Sequence, residues 1–181
     1  MRISSLAVFC GSKGGNNPVF VDQAKELGQL LARENITLIY GGGNKGIMGA
    51  VANAALAEKG AVIGIIPKAL TEWENHHEGI TELIIVESMH ARKLMLYDRC
   101  DAAIILPGGF GTLDELFEML TWNQLSIHDK RIFILNTAGY YDHLIAHIMH
   151  MQHENFLYDK MEDKIVIVET VSEMLPHLQL Q

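Results

Sequence analysis

Short apolar runs alternate along the chain with longer segments in which apolar residues recur every three or four positions. Short apolar runs are typical of strands buried in a sheet, and the longer spacing is typical of amphipathic helices. The runs predict strands at residues 5–10, 36–40, 61–66, 82–86, 102–106, 131–135 and 165–168. The segments between them predict helices at residues 18–34, 47–58, 89–100, 113–124, 140–154 and 172–177.

The order of these elements predicts an α/β fold. Strands that alternate with helices in this rhythm specify a mostly parallel sheet with helices on both faces. We expect residues 1–181 to form a single domain, because no linker, low-complexity segment or internal repeat interrupts the pattern. Glycine-rich turns follow the first, second and fifth predicted strands. Ligands bind at the carboxyl ends of strands in such sheets, so these turns predict the ligand site.

The turn after the fifth strand carries the strongest indication of a ligand. Gly108, Gly109 and Gly111 leave space for a ligand to approach the backbone closely. Thr112 is predicted to cap the helix that follows, with Glu115 as its partner three residues later in a capping box. Free backbone N–H groups in such a turn, together with the positive end of the helix dipole, favour the binding of a phosphate.

The turn after the second strand reads GGGNKG at residues 41–46. A P-loop would require Ser or Thr directly after the lysine, and glycine stands there instead. This difference argues against hydrolysis of a nucleoside triphosphate. Several short backbone cradles fit a mononucleotide or a sugar phosphate better.

Two adjacent cations, Arg92 and Lys93, begin the helix after the fourth strand. Positive charge in the first turns of a helix opposes the helix dipole, and such local misfits often mark functional sites. A solvated basic surface is the simpler explanation for an Arg-Lys pair. The position directly after the carboxyl end of a strand favours a role in ligand binding.

Net charge and cysteine usage limit the classes of partner. The formal charge is −8, which argues against a general nucleic-acid binder or a membrane-surface protein. The first residues lack the pattern of a signal peptide, and no apolar run is long enough to cross a membrane. Cys10 and Cys100 are expected to be free thiols of a cytoplasmic protein, and neither has the companion spacing of a zinc site.

Four histidines follow one another at helical spacing near the C-terminus, namely His143, His147, His150 and His153. A metal-binding stripe is conceivable, but no carboxylate or cysteine completes a clear set of ligands. A solvated or interface-facing stripe is the favoured interpretation, because histidine is often a surface residue. No metal site is predicted.

Residues 67–79 form the most polar irregular segment between two predicted strands. The segment contains Trp73, His76 and His77. Loops of this kind often carry function, so we expect either a mobile lid over the ligand or a surface that faces a partner.

The full spelling of several motifs resembles the LONELY GUY (LOG) family. Residues 107–115 read PGGFGTLDE, which matches the PGGxGTxxE signature, and residues 89–93 read MHARK, which matches MHxRK. FCGS at 9–12, YGGG at 40–43, GIMG at 46–49 and TWNQLSIHDK at 121–130 follow in the family's order. Lys13, Ala91 and Ser126 depart from the usual pattern, and Lys13 is expected to alter the charge of the pocket.

The resemblance implies a Rossmann-like fold and a cytokinin riboside 5′-monophosphate phosphoribohydrolase, an activity often misnamed lysine decarboxylase. Such an enzyme cleaves a nucleoside 5′-monophosphate into free base and ribose 5-phosphate. The family's catalytic arginine and glutamate map onto Arg92 and Glu115. Residues expected to bind the substrate and its phosphate are Ser12, Met89, Arg92, Lys93, Gly108, Gly109, Gly111 and Thr112. The resemblance also implies a homodimer and no metal or organic cofactor.

Three alternatives stay open from the sequence. The first is a general purine or pyrimidine nucleotide nucleosidase with no role in cytokinin activation. The second is a non-catalytic nucleotide-binding or carrier module, as in related proteins that bind molybdenum cofactor. The third is lysine decarboxylation, which requires a Schiff-base lysine in a pyridoxal phosphate site, and the sequence offers no context for one. Glu115 could stabilise charge on the ribose, hold a ribose hydroxyl or orient the attacking water.

Overall fold

The computed structural model describes residues 3–71 and 76–178 and contains one sheet of seven strands within them. The strands are β1 (Ser5–Phe9), β2 (Thr37–Tyr40), β3 (Val62–Pro67), β4 (Glu82–Val86), β5 (Ala102–Ile105), β6 (Arg131–Leu135) and β7 (Ile165–Val168). Every neighbouring pair is parallel. The predicted parallel α/β architecture is therefore confirmed.

The helices follow the strands in the predicted order. They are α1 (Val19–Arg33), α2 (Gly46–Ala57), α3 (Lys68–Thr71), α4 (Met89–Arg99), α5 (Phe110–Gln124), α6 (Asp142–His153), α7 (Met161–Lys164) and α8 (Leu175–Leu178). Short 3₁₀ turns precede α6 at Thr137–Gly139 and α8 at Val171–Met174. The sequence did not predict α3 and α7, because four residues are too few to show helical periodicity.

Helices cover both faces of the sheet. Leu6 and Val8 of β1 belong to a core cluster that contains residues of α1 and α2. Ala7 and Phe9 of the same strand point the other way, into a cluster built with α4, α5 and α6. This alternation follows from the two-residue period of a strand, and it explains why β1 is apolar throughout.

The strand order β4-β3-β2-β1-β5-β6-β7 places the ligand crevice. The chain builds outward from β1 through β2 to β4 on one side, and then returns to add β5 to β7 on the other. Connections on the two sides of this reversal run over opposite faces, which leaves a gap at the carboxyl ends of β1 and β5. Two of the three glycine-rich turns lie at that gap.

The predicted capping box at the start of α5 is wrong. The helix begins at Phe110, with Gly109 as its N-cap, and no side chain caps it. Thr112 therefore lies inside the first turn and Glu115 in the second, three residues further into the helix than predicted. The glycines allow the chain to enter the helix directly from the turn. As a result, the Glu115 carboxylate is not used in a cap.

The segment predicted to be irregular contains structure at both ends. It begins with the end of β3 and with α3, and His76 forms a bridge with Gly43. His77 is buried, and its ring lies 3.0 Å from the Asn53 side chain. Trp73 falls outside the described residues. Among the described residues, no helix has the length and apolar character required to cross a membrane.

Candidate active site

A cavity of about 580 Å³ lies between the turns that follow β1 and β5. Residues 10–13 form one wall and residues 107–112 form another. Met48 of α2 and Met89 of α4 contribute apolar surface, and Ser12 lines the opening beside the exposed Lys13. The structure thus brings most of the predicted site residues together around one space.

Arg92 reaches this cavity from the first turn of α4 and is only 5% exposed. Its Nη2 donates to the carbonyl oxygen of Gly41 at 3.2 Å, and Nη1 lies 3.8 Å from the sulfur of Met89. A Cβ atom at Gly41 would overlap Nη2, so a side chain at this position of the second glycine turn would displace the guanidinium from where it lies. The turn after β2 therefore serves to hold the guanidinium.

The Nε atom of Arg92 is buried and has no hydrogen-bond partner within the described part of the chain. An unsatisfied buried donor is costly, and for a charged group the cost is larger. The positive end of the α4 dipole repels the guanidinium and adds to the cost of burying its charge. Ser88 caps this helix by accepting from the amide of Ala91 at 3.1 Å. The arrangement is typical of a group that awaits an anionic or polar ligand.

Glu115 faces the same cavity from α5. Burial raises the pKa of its carboxyl group to about 7, the positive charge of Arg92 acts in the opposite direction, and the negative charge of Asp114 raises it further. No ion pair within the described residues joins Glu115 to Arg92, so their interaction is through space. A carboxyl group with a pKa near neutrality can take up and release a proton during a reaction.

The N-terminus of α5 offers unpaired backbone donors to the cavity. The first amide that forms a helical bond is that of Leu113, which donates to the carbonyl of Gly109 at 3.1 Å. The N–H groups of Phe110, Gly111 and Thr112 have no acceptor among the described residues. With the helix dipole behind them, they form a site for an anion.

Glycine is required at Gly108 for a different reason than space for a ligand. A Cβ atom there would overlap Oγ1 of Thr112, which is buried against the turn. At Gly109 and Gly111, in contrast, an added Cβ would meet nothing within 4 Å. These two glycines are open towards the cavity, as the predicted phosphate site requires.

The structure gives Lys93 a different position from the one expected of a phosphate ligand. Its Nζ atom lies 3.2 Å from a carboxylate oxygen of Asp114 and 3.1 Å from one of Glu118. The hydroxyl group of Tyr97 donates to Glu118 at 2.7 Å. Lys93 does not line the cavity and instead connects α4 to α5.

Several residues of the cavity were not predicted from the sequence. Phe20, Leu70 and Tyr140 line it from three separate parts of the chain, and no local pattern identifies them. Cys10 lines it at the end of β1, within the FCGS motif that could have pointed to it. Burial raises the pKa of the Cys10 thiol far above its usual value, and the charge of Glu115 acts in the same direction. Cys10 is thus a neutral part of the wall.

The four histidines of α6 are exposed. The side-chain donor atoms of His150, His153 and Glu154 lie within 4.8 Å of one another, so a carboxylate does approach the pair, contrary to the sequence interpretation. His153 Nδ1 is 2.9 Å from Glu154 Oε1, and the imidazole rings of His150 and His153 stack on each other. The predicted exposure of this histidine stripe to solvent is therefore confirmed.

Comparison with known proteins places the motifs in a family. The family model described as "Possible lysine decarboxylase" matches residues 48–178. A probable cytokinin riboside 5′-monophosphate phosphoribohydrolase of Oryza sativa subsp. japonica is 44% identical over 178 residues, which cover 98% of this chain and 80% of that protein. Cytokinin riboside 5′-monophosphate phosphoribohydrolases of Arabidopsis thaliana and Rhodococcoides fascians are 41% and 39% identical, over 98% and 92% of this chain and 84% and 85% of theirs.

Solved structures with lower identity share the fold. The molybdenum cofactor binding protein of Rippkaea orientalis superposes with a TM-score of 0.74 at 24% identity, covering 99% of this chain and 97% of that one. The Moco carrier protein of Chlamydomonas reinhardtii gives 0.72 at 18% identity, covering 98% and 96%. The Rossmann-like fold is therefore confirmed.

Proposed function

Because the chain belongs to the LONELY GUY (LOG) family of phosphoribohydrolases, we propose that it hydrolyses adenosine 5′-monophosphates with modified N6 positions. The products are the free base, a cytokinin, and ribose 5-phosphate. The named relatives support this reaction, since they are cytokinin riboside 5′-monophosphate phosphoribohydrolases. The substrate is a small molecule, and the enzyme is an N-glycosyl hydrolase.

One observation carries the proposal most directly. A buried arginine with an unpaired Nε, a carboxyl group with a pKa of about 7 and an uncapped helix N-terminus face one cavity. The three features match the three parts of the substrate that need recognition: a base that leaves, a ribose that gains positive charge and a 5′-phosphate.

The proposed chemistry begins with cleavage of the bond between C1′ and the base nitrogen, whose electron pair leaves with the base. Positive charge develops on the ribose, and the Glu115 carboxylate stabilises it. A water molecule attacks C1′ and gives a proton to Glu115, while the departing base takes up one proton. One water is consumed, and the proton on Glu115 either returns to solvent or is the one proton that the base takes up.

Arg92 has an electrostatic role in this proposal. A guanidinium stays protonated in proteins, so Arg92 donates hydrogen bonds and does not act as an acid. Nη2 gives one hydrogen to Gly41, so the donors proposed for the phosphate or the leaving base are the other N–H groups of the guanidinium, on Nη1, Nη2 and the unpaired Nε.

The 5′-phosphate is proposed to bind at the start of α5. The amides of Phe110, Gly111 and Thr112 are the donors, while Gly108 shapes the turn and Gly109 leaves space for the anion. Ser12 and Met89 line the same cavity and are proposed to contact the substrate. We assign Lys93 to holding α4 against α5, because both of its nearest acceptors are protein carboxylates.

The deciding experiment is a product assay with the purified protein and a Glu115→Ala variant. Each is incubated with AMP and with isopentenyladenosine monophosphate, and free base and ribose 5-phosphate are measured. We expect the parent to cleave the prenylated nucleotide and the variant to cleave neither. The ratio of the two rates separates cytokinin activation from general nucleotide salvage. Nucleotide binding without release of base would identify a carrier module and overturn the catalytic assignments.

The same sample tests lysine decarboxylation, the activity named in the description of the family model. A decarboxylase of that type would take up pyridoxal phosphate as a Schiff base and show its absorbance band. We expect no such band after incubation with pyridoxal phosphate and no release of cadaverine from lysine. Appearance of both would contradict the proposed reaction.

We also propose that the protein forms a homodimer and works in the cytoplasm. Ile85, Met89 and Leu94 are large apolar side chains that are 57%, 44% and 48% exposed, which favours a protein interface near α4. Cys10 and Cys100 are free thiols, as expected in a reducing compartment. Analytical ultracentrifugation of the parent and of Leu94→Glu tests the dimer, and a monomeric parent would contradict it.

A further inference from the structure

Two consecutive tyrosines donate hydrogen bonds to the turn between β5 and α5. The hydroxyl group of Tyr140 donates to the carbonyl oxygen of Gly108 at 2.6 Å. The hydroxyl group of Tyr141 donates to the carbonyl oxygen of Leu106 at 2.7 Å. Between these two, the carbonyl of Pro107 accepts from the amide of Gly11 at 3.0 Å. Three successive carbonyl groups of the turn are therefore held in place.

The bond from Tyr140 fixes a peptide that could otherwise rotate easily. The carbonyl of Gly108 and the N–H of Gly109 belong to one planar peptide group and point in opposite directions. Because this peptide joins two glycines, no side chain restricts its rotation, and a flip would exchange the two groups. With the carbonyl held by Tyr140, the N–H of Gly109 points the other way. That N–H has no acceptor among the described residues.

Tyr140 is itself held by its surroundings. Its ring packs edge-on against Phe20, with centroids 5.4 Å apart, and against Tyr141 at 4.8 Å. The chain approaches it through Ala138, which has a φ of 53°. A left-handed conformation is strained for alanine, and such strain is kept where the surroundings demand one geometry.

Asn136 provides the remaining support for this pair. Its side-chain oxygen accepts from the amide of Tyr141 at 2.8 Å, and its Nδ2 donates to Asp142 at 2.8 Å. The side chain of Asn136 is buried, and its bond to the amide of Tyr141 is shielded from water. The segment between β6 and α6 is thus fixed before it contacts the turn.

We propose that Tyr140 is a positioning residue for the 5′-phosphate, and that its hydroxyl group locks the Gly108–Gly109 peptide with the N–H available to the anion. This inference rests on the proposed phosphate site at the start of α5. Gly109 then adds a fourth donor to the three free amides of Phe110, Gly111 and Thr112. In the flipped state a carbonyl oxygen would face the anion and repel it.

The test compares Tyr140→Phe with Tyr141→Phe, each of which removes one hydroxyl group. Binding of inorganic phosphate and of ribose 5-phosphate is measured by calorimetry, with adenosine as a ligand that lacks the phosphate. For Tyr140→Phe we expect phosphate and ribose 5-phosphate affinities to fall about 3- to 10-fold, the effect of one hydrogen bond, with adenosine unchanged. The hydroxyl group of Tyr141 holds Leu106 at the end of β5 and not the Gly108–Gly109 peptide. For Tyr141→Phe we therefore expect a lower melting temperature and an unchanged phosphate affinity.

Several results would overturn the proposal. These are unchanged phosphate affinity in Tyr140→Phe, an equal loss in both variants, an equal loss for adenosine and the absence of phosphate binding by the parent. A parent that binds phosphate but cleaves no nucleotide refutes the proposed reaction alone, because the calorimetric comparison needs no catalysis. Where cleavage occurs, Tyr140→Phe should raise KM for the nucleotide more than it lowers kcat, whereas general loosening of the site would lower both.

Discussion

Lys93 and Asp114 form an ion pair of 3.2 Å between the residue that follows Arg92 and the residue that precedes Glu115. The same lysine reaches Glu118 one turn further along α5 at 3.1 Å. Asp114 is largely exposed, so solvent screens the first pair, whereas Glu118 is more shielded. Lys93 therefore joins α4 to α5 directly beside the two proposed catalytic residues, Arg92 and Glu115.

Substitution of Lys93 by methionine should misalign the site more than it unfolds the protein. Methionine keeps most of the side-chain volume but breaks both ion pairs, so the hydrogen bond from Tyr97 to Glu118 remains as the polar link between α4 and α5. Because displacement of a catalytic group by about 1 Å can cost up to 100-fold, we expect kcat/KM to fall by about tenfold. Steady-state kinetics and thermal denaturation, measured on the same samples, check this expectation.

Lys93→Arg is the matched control for that substitution. It keeps a positive charge within reach of Asp114 and Glu118, and we expect it to retain most of the activity. If Lys93 instead bound phosphate directly, Lys93→Met would weaken inhibition by inorganic phosphate by a factor similar to its effect on kcat/KM. That result would restore the role suggested by the sequence.

The pKa of Glu115 predicts the acid limb of the activity profile. The proposed mechanism needs the carboxylate, and burial raises the pKa of this group to about 7 in the free enzyme. We expect kcat/KM to rise as pH increases through about 7, and to be about tenfold lower at pH 6 than on its plateau. Initial rates between pH 5 and 9 measure the limb directly.

Asp114→Asn offers an internal test of that assignment. The negative charge of Asp114 raises the pKa of Glu115, and its removal should move the acid limb to lower pH. The charge of Lys93, which then pairs with Glu118 alone, acts in the same direction, since it also lowers the pKa of Glu115. A limb that moves to higher pH, or that stays in place in this variant, would show that another group controls the profile.

Glu115→Gln should stabilise the protein at alkaline pH. The folded-state pKa is raised to about 7 from an ordinary value of 4.5, so the folded protein retains a proton that the unfolded chain releases. The associated stability is fully present below pH 4.5 and is lost as pH rises through about 7. Glutamine is neutral at every pH, so its advantage should be small at pH 4.5 and reach about 1–3 kcal/mol at pH 8.

Chemical denaturation of parent and variant at pH 4.5 and pH 8 measures this difference. Glu162→Gln, which changes an exposed carboxylate of α7 outside the cavity, serves as the control. We expect the control to show no comparable gain at pH 8. An equal gain in stability at both pH values would mean that the gain does not come from removing a buried negative charge at Glu115.

Local patterns in the sequence predicted the sheet and the position of Arg92 directly after the end of a strand. The catalytic roles of Arg92 and Glu115 were implied by the family resemblance and stay a prediction. Apolar runs record burial in a parallel sheet, and their alternation with helices leaves few possible topologies. Gly108 and Gly109 were identified because a tight turn before a helix needs glycine in the sequence itself. Each of these signals lies within a few residues of the feature it predicts.

The parts that the sequence did not predict depend on contacts between distant residues. Thr112 fits the pattern of a helix cap, but the turn lets the helix begin earlier and buries its side chain. Lys93 pairs with carboxylates of another helix, and Tyr140 reaches the turn from 32 residues away. No pattern along the chain encodes such pairings, because the sheet order decides which elements meet.

Gly108→Ala should damage the turn, whereas Gly109→Ala should be tolerated. A Cβ atom at Gly108 would overlap Oγ1 of Thr112 and approach the backbone of Gly11 at 2.9 Å, so the turn must shift. We expect Gly108→Ala to lower stability by about 1–3 kcal/mol, as overpacking usually does, and to weaken phosphate binding. Gly109 has a φ of −102° and open space around it, so alanine fits there without strain.

Melting temperatures and phosphate affinities of the two variants separate strain from contact with the ligand. Gly109→Ala should keep the parent's melting temperature, so any loss of phosphate affinity in it reflects a methyl group in the anion site. Thr112→Ser added to Gly108→Ala leaves the hydroxyl in place and should restore little, while Thr112→Ala removes the overlapping oxygen and should recover part of the stability. If both double variants recover equally, the hydroxyl group is not the atom that excludes a side chain at Gly108.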